Sequence, residues 1–197
     1  MHRWVSVCFL SLVILLQTTP AAFAHTADSL SGGFVSGLLH PIFGWDHVVA
    51  MVAVGLWGAV LGRPALWVLP IVFPLVMALG AVLGIAGIDV PFIEVGIALS
   101  GVVLGLMIFF LIKAPMAFAA ILVGLFAIFH GHAHGTELPD AANPIAYAVG
   151  FVIATGMLHV AGILFGTLMA SDTGRLAVRA GGGVISLVGA AFLVGIA

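Results

Sequence analysis

From residue 33 onward the chain runs as long apolar stretches separated by short polar links. The stretches lie near 33–61, 65–87, 92–112, 115–130, 144–169 and 176–197, and they predict an all-α, polytopic membrane protein, a bundle of six transmembrane helices. Residues 1–24 follow a different pattern. His2 and Arg3 precede an apolar run at 4–16, and Ala22-Phe23-Ala24 forms a small-x-small site. That run is shorter than the ~20 residues needed to span a bilayer. It is therefore read as a cleaved signal peptide, leaving 25–197 as a six-helix transmembrane domain with His25 as its new amino terminus outside.

Polar positions inside the apolar stretches carry the chemistry. The first stretch contains His40-Pro41-Ile42-Phe43-Gly44-Trp45-Asp46-His47. On a continuous helix the seven-residue step from His40 to His47 is just under two turns, so both imidazoles are expected on roughly one face, with Asp46 a quarter-turn away. Imidazole nitrogen and carboxylate oxygen suit borderline divalent ions such as Ni²⁺, Co²⁺ and Zn²⁺. A lone histidine in a bundle is as readily a structural hydrogen-bonding group. Three polar groups together at membrane depth point to function, because each is expensive there.

Composition narrows the reading. The chain is 63% hydrophobic and 6% charged, too few charges to clothe a soluble core of this length. Its near-neutral balance and lack of a basic cluster exclude nucleic acid as a partner. The single cysteine, Cys8, allows neither a disulfide framework nor a thiolate cage, so a metal site must use His, carboxylate, Met or backbone.

Charge placement predicts orientation. With the mature N-terminus outside, the first, third and fifth links carry Arg63, Lys113, and Arg175 with Arg179, so every basic side chain of the mature chain falls inside. Asp89, His132, His134, Glu137 and Asp140 fall outside with His25 and Asp28. A multi-pass protein of the bacterial inner membrane is predicted, with both mature termini periplasmic. Trp57 and Trp67 fit an inner interfacial belt beside Arg63, and Met51, Met77, Met107 and Met157 fit core packing. Glycines recur at four-residue steps, as in Gly80/Gly84 and Gly101/Gly105, and let helix backbones approach closely in lipid.

The outer end of the fourth stretch carries a second constellation, Phe129-His130-Gly131-His132-Ala133-His134-Gly135-Thr136-Glu137. His130 and His134 share a face if the helix continues, whereas the glycines allow a turn equally well.

These two motifs resemble those of the HupE/UreJ nickel and cobalt transporters: His40, five residues, then Asp46-His47, and the pattern Phe-His-Gly-x-Ala-His-Gly-x-Glu at 129–137. The resemblance covers essentially the whole chain. It implies uptake of Ni²⁺, or in some members Co²⁺, and assigns the metal-handling roles to His40, Asp46, His47, His130, His134 and Glu137. It further implies a hydrogenase, urease or cobalamin-pathway context. His132 fills the variable position, so the family says nothing of its role.

Four further residues stand as candidate ligands beside structural readings. Glu94 opens the third stretch, where a carboxylate also favours a helix N-terminus. His159 lies deep in the fifth stretch, as an inner relay or a structural hydrogen-bonding group. His132 is either a ligand or a solvated neighbour. His25, once terminal, offers an amine and Nδ1 that close a six-membered chelate, against the reading that signal cleavage alone sets its place.

The expected function is a secondary permease passing Ni²⁺ or Co²⁺, as substrate and not as fixed cofactor, from periplasm to cytoplasm. A doubly charged ion crossing the full membrane potential gains about 4.6 kcal/mol per 100 mV. There is no Walker-type loop in the sequence, so ATP hydrolysis by this chain is not expected. The alternatives are an intramembrane metalloenzyme, disfavoured by the lack of a His-Glu-x-x-His motif, and a metal-binding accessory or sensor subunit.

Overall fold

A computed structural model describes residues 33–137 and 143–196. The signal segment 1–24, His25, Asp28 and Asp140 lie outside the described residues. Among those described, the α-helices are α1 (Phe34–Phe43), α2 (Trp45–Leu61), α3 (Ala65–Ile85), α4 (Ile93–Phe109), α5 (Met116–Thr136), α6 (Pro144–Gly166) and α7 (Asp172–Leu193), with a 3-10 turn at Thr167–Ala170 before α7. No strand occurs among the described residues. The protein is an all-helical polytopic membrane protein.

Three helices, α3, α5 and α7, together with α6 and its 3-10 extension, are long and apolar enough to cross a membrane. The apolar α4 is shorter, at 17 residues. Outward-facing Leu75, Leu79, Ile121, Leu164 and Leu187 are exposed, as lipid-facing positions are. Pro70 and Pro74 lie inside α3, which is one continuous element from Ala65 to Ile85.

The first stretch departs from expectation. It breaks into α1 and α2, bent by 80° at Gly44. The Gly44 amide donates to the His40 carbonyl at 3.0 Å and closes α1, while Gly44 itself turns extended, with φ −82° and ψ 108°. Asp46 falls in the first turn of α2, where the positive end of the helix dipole favours a carboxylate. His40 sits in the last turn of α1, the complementary position for an imidazole. The two histidines therefore do not share the face of one helix.

Glycine contacts set how the helices pair. A Cβ on Gly131 would strike the Met77 carbonyl, and one on Gly80 the Ile128 carbonyl, so α3 and α5 pack backbone to backbone and run parallel. The same reciprocal contact joins α2 to α6, through Gly55 against the His159 carbonyl and Gly162 against the Val52 carbonyl. α1 meets α6 through Gly37 and Gly150, and α4 meets α7 antiparallel through Gly101, Gly105, Gly182 and Gly189.

The cationic links gather at one end of the bundle. The Arg179 Nε donates to the Phe109 carbonyl at 2.9 Å, joining the start of α7 to the end of α4. Trp57, expected as an interfacial anchor, is instead fully buried, and its indole donates to the Ile112 carbonyl at 3.1 Å beside Lys113. A buried indole N–H needs a partner, and the end of α4 supplies one. Trp67 is exposed, as an anchor should be, and so is Met157, which was expected in the core.

Candidate metal centre

At the end of the bundle away from the cationic links, α1, α2 and α5 bring three imidazoles together. One nitrogen from each of His40, His47 and His134 lies within 4.8 Å of the others. The bend at Gly44 folds the end of α1 over the start of α2, so His40 meets His47 with ring centroids 5.2 Å apart. α5 stays helical to Thr136 and carries His134 into the same space. His47 and His134 are nearly buried and His40 is half-buried.

Proton placement follows from the contacts. Asp46 Oδ2 lies 2.7 Å from His47 Nδ1, a close electrostatic contact without the alignment of a hydrogen bond, and its negative charge favours a proton on that nitrogen. His47 Nε2 is 2.7 Å from His134 Nε2, a contact in which one imidazole donates and the other accepts. His134 Nδ1 is buried with no partner. A cation bound by both Nε2 atoms would require the proton between them to move to an outer nitrogen such as the unpartnered His134 Nδ1. Asp46 stands where a carboxylate would polarise the His47 imidazole if that ring held a metal.

The His47–His134 spacing is close to that of two ligands on one small divalent ion. With metal–nitrogen bonds of about 2.0–2.1 Å, two ligands at right angles stand about 2.9 Å apart and two at the tetrahedral angle about 3.3 Å. The 2.7 Å separation is nearer the right-angled arrangement of square-planar and octahedral ions. There is no cysteine among the described residues, so the donors are of borderline hardness.

His130 lies one turn along α5 from His134, with its ring 5.7 Å from that of His47. Its Nδ1 donates to the Phe126 carbonyl at 2.9 Å, which leaves Nε2 as a lone pair, fully buried and without a partner. His132, between the two, points elsewhere and donates from Nε2 to the Ile88 carbonyl at 2.8 Å, tying α5 to the link after α3. Glu137 is exposed at the end of α5. Glu94 is exposed in the first turn of α4, two residues before Gly96, which packs on the Phe129 ring. His159 is buried deeper in α6, with no partner on either nitrogen.

No motif marks the aromatic wall of the site. Phe151 stands 4.4 Å from His134 and 6.1 Å from His40, ring centroid to ring centroid, and Tyr147 stacks behind it at 6.1 Å. The sign in the sequence is periodic. Tyr147, Phe151, Thr155 and His159 recur at four-residue steps on one face of α6, and all are buried.

The family model described as HupE / UreJ protein matches residues 13–192. The chain is 49% identical over 186 residues to a protein named Protein HupE from Rhizobium leguminosarum bv. viciae, covering 91% of this chain and 97% of that one. No solved structure matches it. With both motifs present in full and the match running through nearly every described helix, the chain belongs to the HupE/UreJ family of nickel and cobalt transporters.

Proposed function

We propose that this chain is a secondary permease that captures Ni²⁺ or Co²⁺ from the periplasm at His40, His47 and His134 and releases it to the cytoplasm. The observation that carries the proposal is the convergence of three imidazoles from α1, α2 and α5 within 4.8 Å at the end opposite the cationic links. Asp46 orients His47 and supplies negative charge near the ion. His130 accepts the ion next, through its free Nε2. Glu137, Glu94 and, upstream, a terminal His25 serve capture around the mouth of the site, while His132 braces α5 against the link after α3. Membership of a transporter family supports transport over catalysis.

The proposed orientation puts six spans across the inner membrane, with α1 and α2 as one broken span and both mature termini periplasmic. Broken helices at membrane depth are characteristic of ion sites, because their free ends supply polar groups where lipid offers none. The metal delivered would serve the hydrogenase, urease or cobalamin context that the family resemblance implies.

Uptake of Ni²⁺ into proteoliposomes holding a metal-sensitive dye tests the proposal. Wild-type protein is expected to fill the vesicles, and His47→Ala to leave them at the protein-free rate while inserting normally. Equal filling by both would overturn it.

A further inference from the structure

Below the three-histidine site, the core holds polar atoms that the capture step does not use. Thr155 Oγ1 and both nitrogens of His159 are buried, lack any hydrogen-bond partner, and lie one turn apart on α6. A threonine within a helix ordinarily satisfies its hydroxyl by bonding back to the carbonyl one turn earlier, and Thr155 does not. A buried histidine ordinarily bonds at least one nitrogen. Natural interiors rarely leave such groups alone unless a water or an ion completes them.

Their placement is a continuation of the outer site. Phe151, one turn above Thr155, touches His47 and His134 with its ring. Two turns further along α6, the His159 backbone meets Gly55, itself two turns below His47 on α2. The two helices thus keep register, and Thr155 lies at the level of Met51, about 6 Å below the capture site, with His159 about 12 Å below it. On α5, His130 likewise lies one turn below His134. The Phe73 ring makes T-shaped contacts with both His130 and His159, with centroids 5.6 Å and 5.5 Å away.

Resting on the transport reading above, we infer that Thr155 and His159 form an inner relay site that receives the metal ion from His130 and passes it toward the cationic end. The site is sparse, one imidazole and one hydroxyl against the three imidazoles above. Weak holding suits release, since an ion bound as tightly inside as outside would not leave. Phe73, fully buried, packs against both His130 and His159 and joins the two levels through one apolar ring.

The test uses full-length protein, with equilibrium Ni²⁺ binding measured in detergent and initial uptake measured in proteoliposomes. His159→Leu is expected to bind Ni²⁺ within twofold of wild type and to lose uptake at least tenfold. Thr155→Val, which keeps the shape and removes the hydroxyl, is expected to lose uptake at least threefold with binding unchanged. His159→Cys supplies a readout that packing alone does not move: a softer thiolate should raise the ratio of Zn²⁺ to Ni²⁺ uptake severalfold. Wild-type uptake in His159→Leu, parallel loss of binding and uptake in both apolar variants, or an unmoved ratio in His159→Cys would each overturn the relay. If wild-type protein moves no ion, the transport reading fails and the relay with it, whereas active wild type with equally active variants defeats the relay alone.

Discussion

The Nε2 atoms of His47 and His134 stand 2.7 Å apart, although 87 residues separate them in the chain. Each belongs to a different family motif. The contact is what turns two local patterns into one site, and its proton must shift before a cation can take both nitrogens. Two nitrogens already this close would lower the ordering cost of binding an ion between them.

Asp46 acts through His47, and its removal should be graded rather than absolute. Asp46→Asn is expected to weaken Ni²⁺ binding by about 10–100-fold, the usual cost of losing a group that orients a ligand. His47→Ala, which removes the ligand itself, should cost more. Calorimetric titration of the purified variants checks the order, and equal affinities for Asp46→Asn and wild type would exclude the orienting role.

Gly44 sits where a side chain would crowd the site. A Cβ there would lie 3.0 Å from His47 Nδ1 and 3.1 Å from Asp46 Oδ1. Gly44→Ala should therefore push this pair aside by a few tenths of an ångström and weaken metal binding severalfold without unfolding the bundle. Gly156→Ala, where a Cβ meets nothing within 4 Å, is the control and should be neutral or stabilising by about 0.5–1 kcal/mol. Tighter or equal binding by Gly44→Ala would contradict the crowding argument.

Gly131 holds α5 against α3 at the height of the histidines. Because an added methyl would run into the Met77 carbonyl, Gly131→Ala must separate the two helices, at an overpacking cost of about 1–3 kcal/mol. Thermal unfolding in detergent should show Tm lowered on the order of 5 °C. An unchanged Tm would mean that the close approach contributes no stability.

Topology gives an independent check on the direction of transport. A reporter placed after residue 197 should read periplasmic, and one inserted at Ser171, between the sixth and seventh helices, should read cytoplasmic. The reverse pattern would put the three-histidine mouth on the wrong side for uptake.

Much of this protein is legible one stretch at a time. A run of apolar residues long enough for a bilayer makes a helix wherever it lies, because lipid leaves the backbone no other way to satisfy its hydrogen bonds. The segments expected from hydropathy accordingly appear as helices with shifted ends, and the two motifs name their histidines without reference to any fold. What no local pattern decides is which histidines meet. His132 stands in the middle of its motif yet faces the Ile88 carbonyl, while His130 and His134 face inward, a choice made only once α5 continues as a helix through its glycines. His40 and His47 meet because Gly44 breaks the span, not because seven residues make two turns. Trp57 is buried by the end of α4, an element 55 residues away. Helices are set by nearest neighbours in the chain, whereas the site is set by glycine contacts spread over α2, α3, α5 and α6, whose carbonyl partners lie dozens of residues distant.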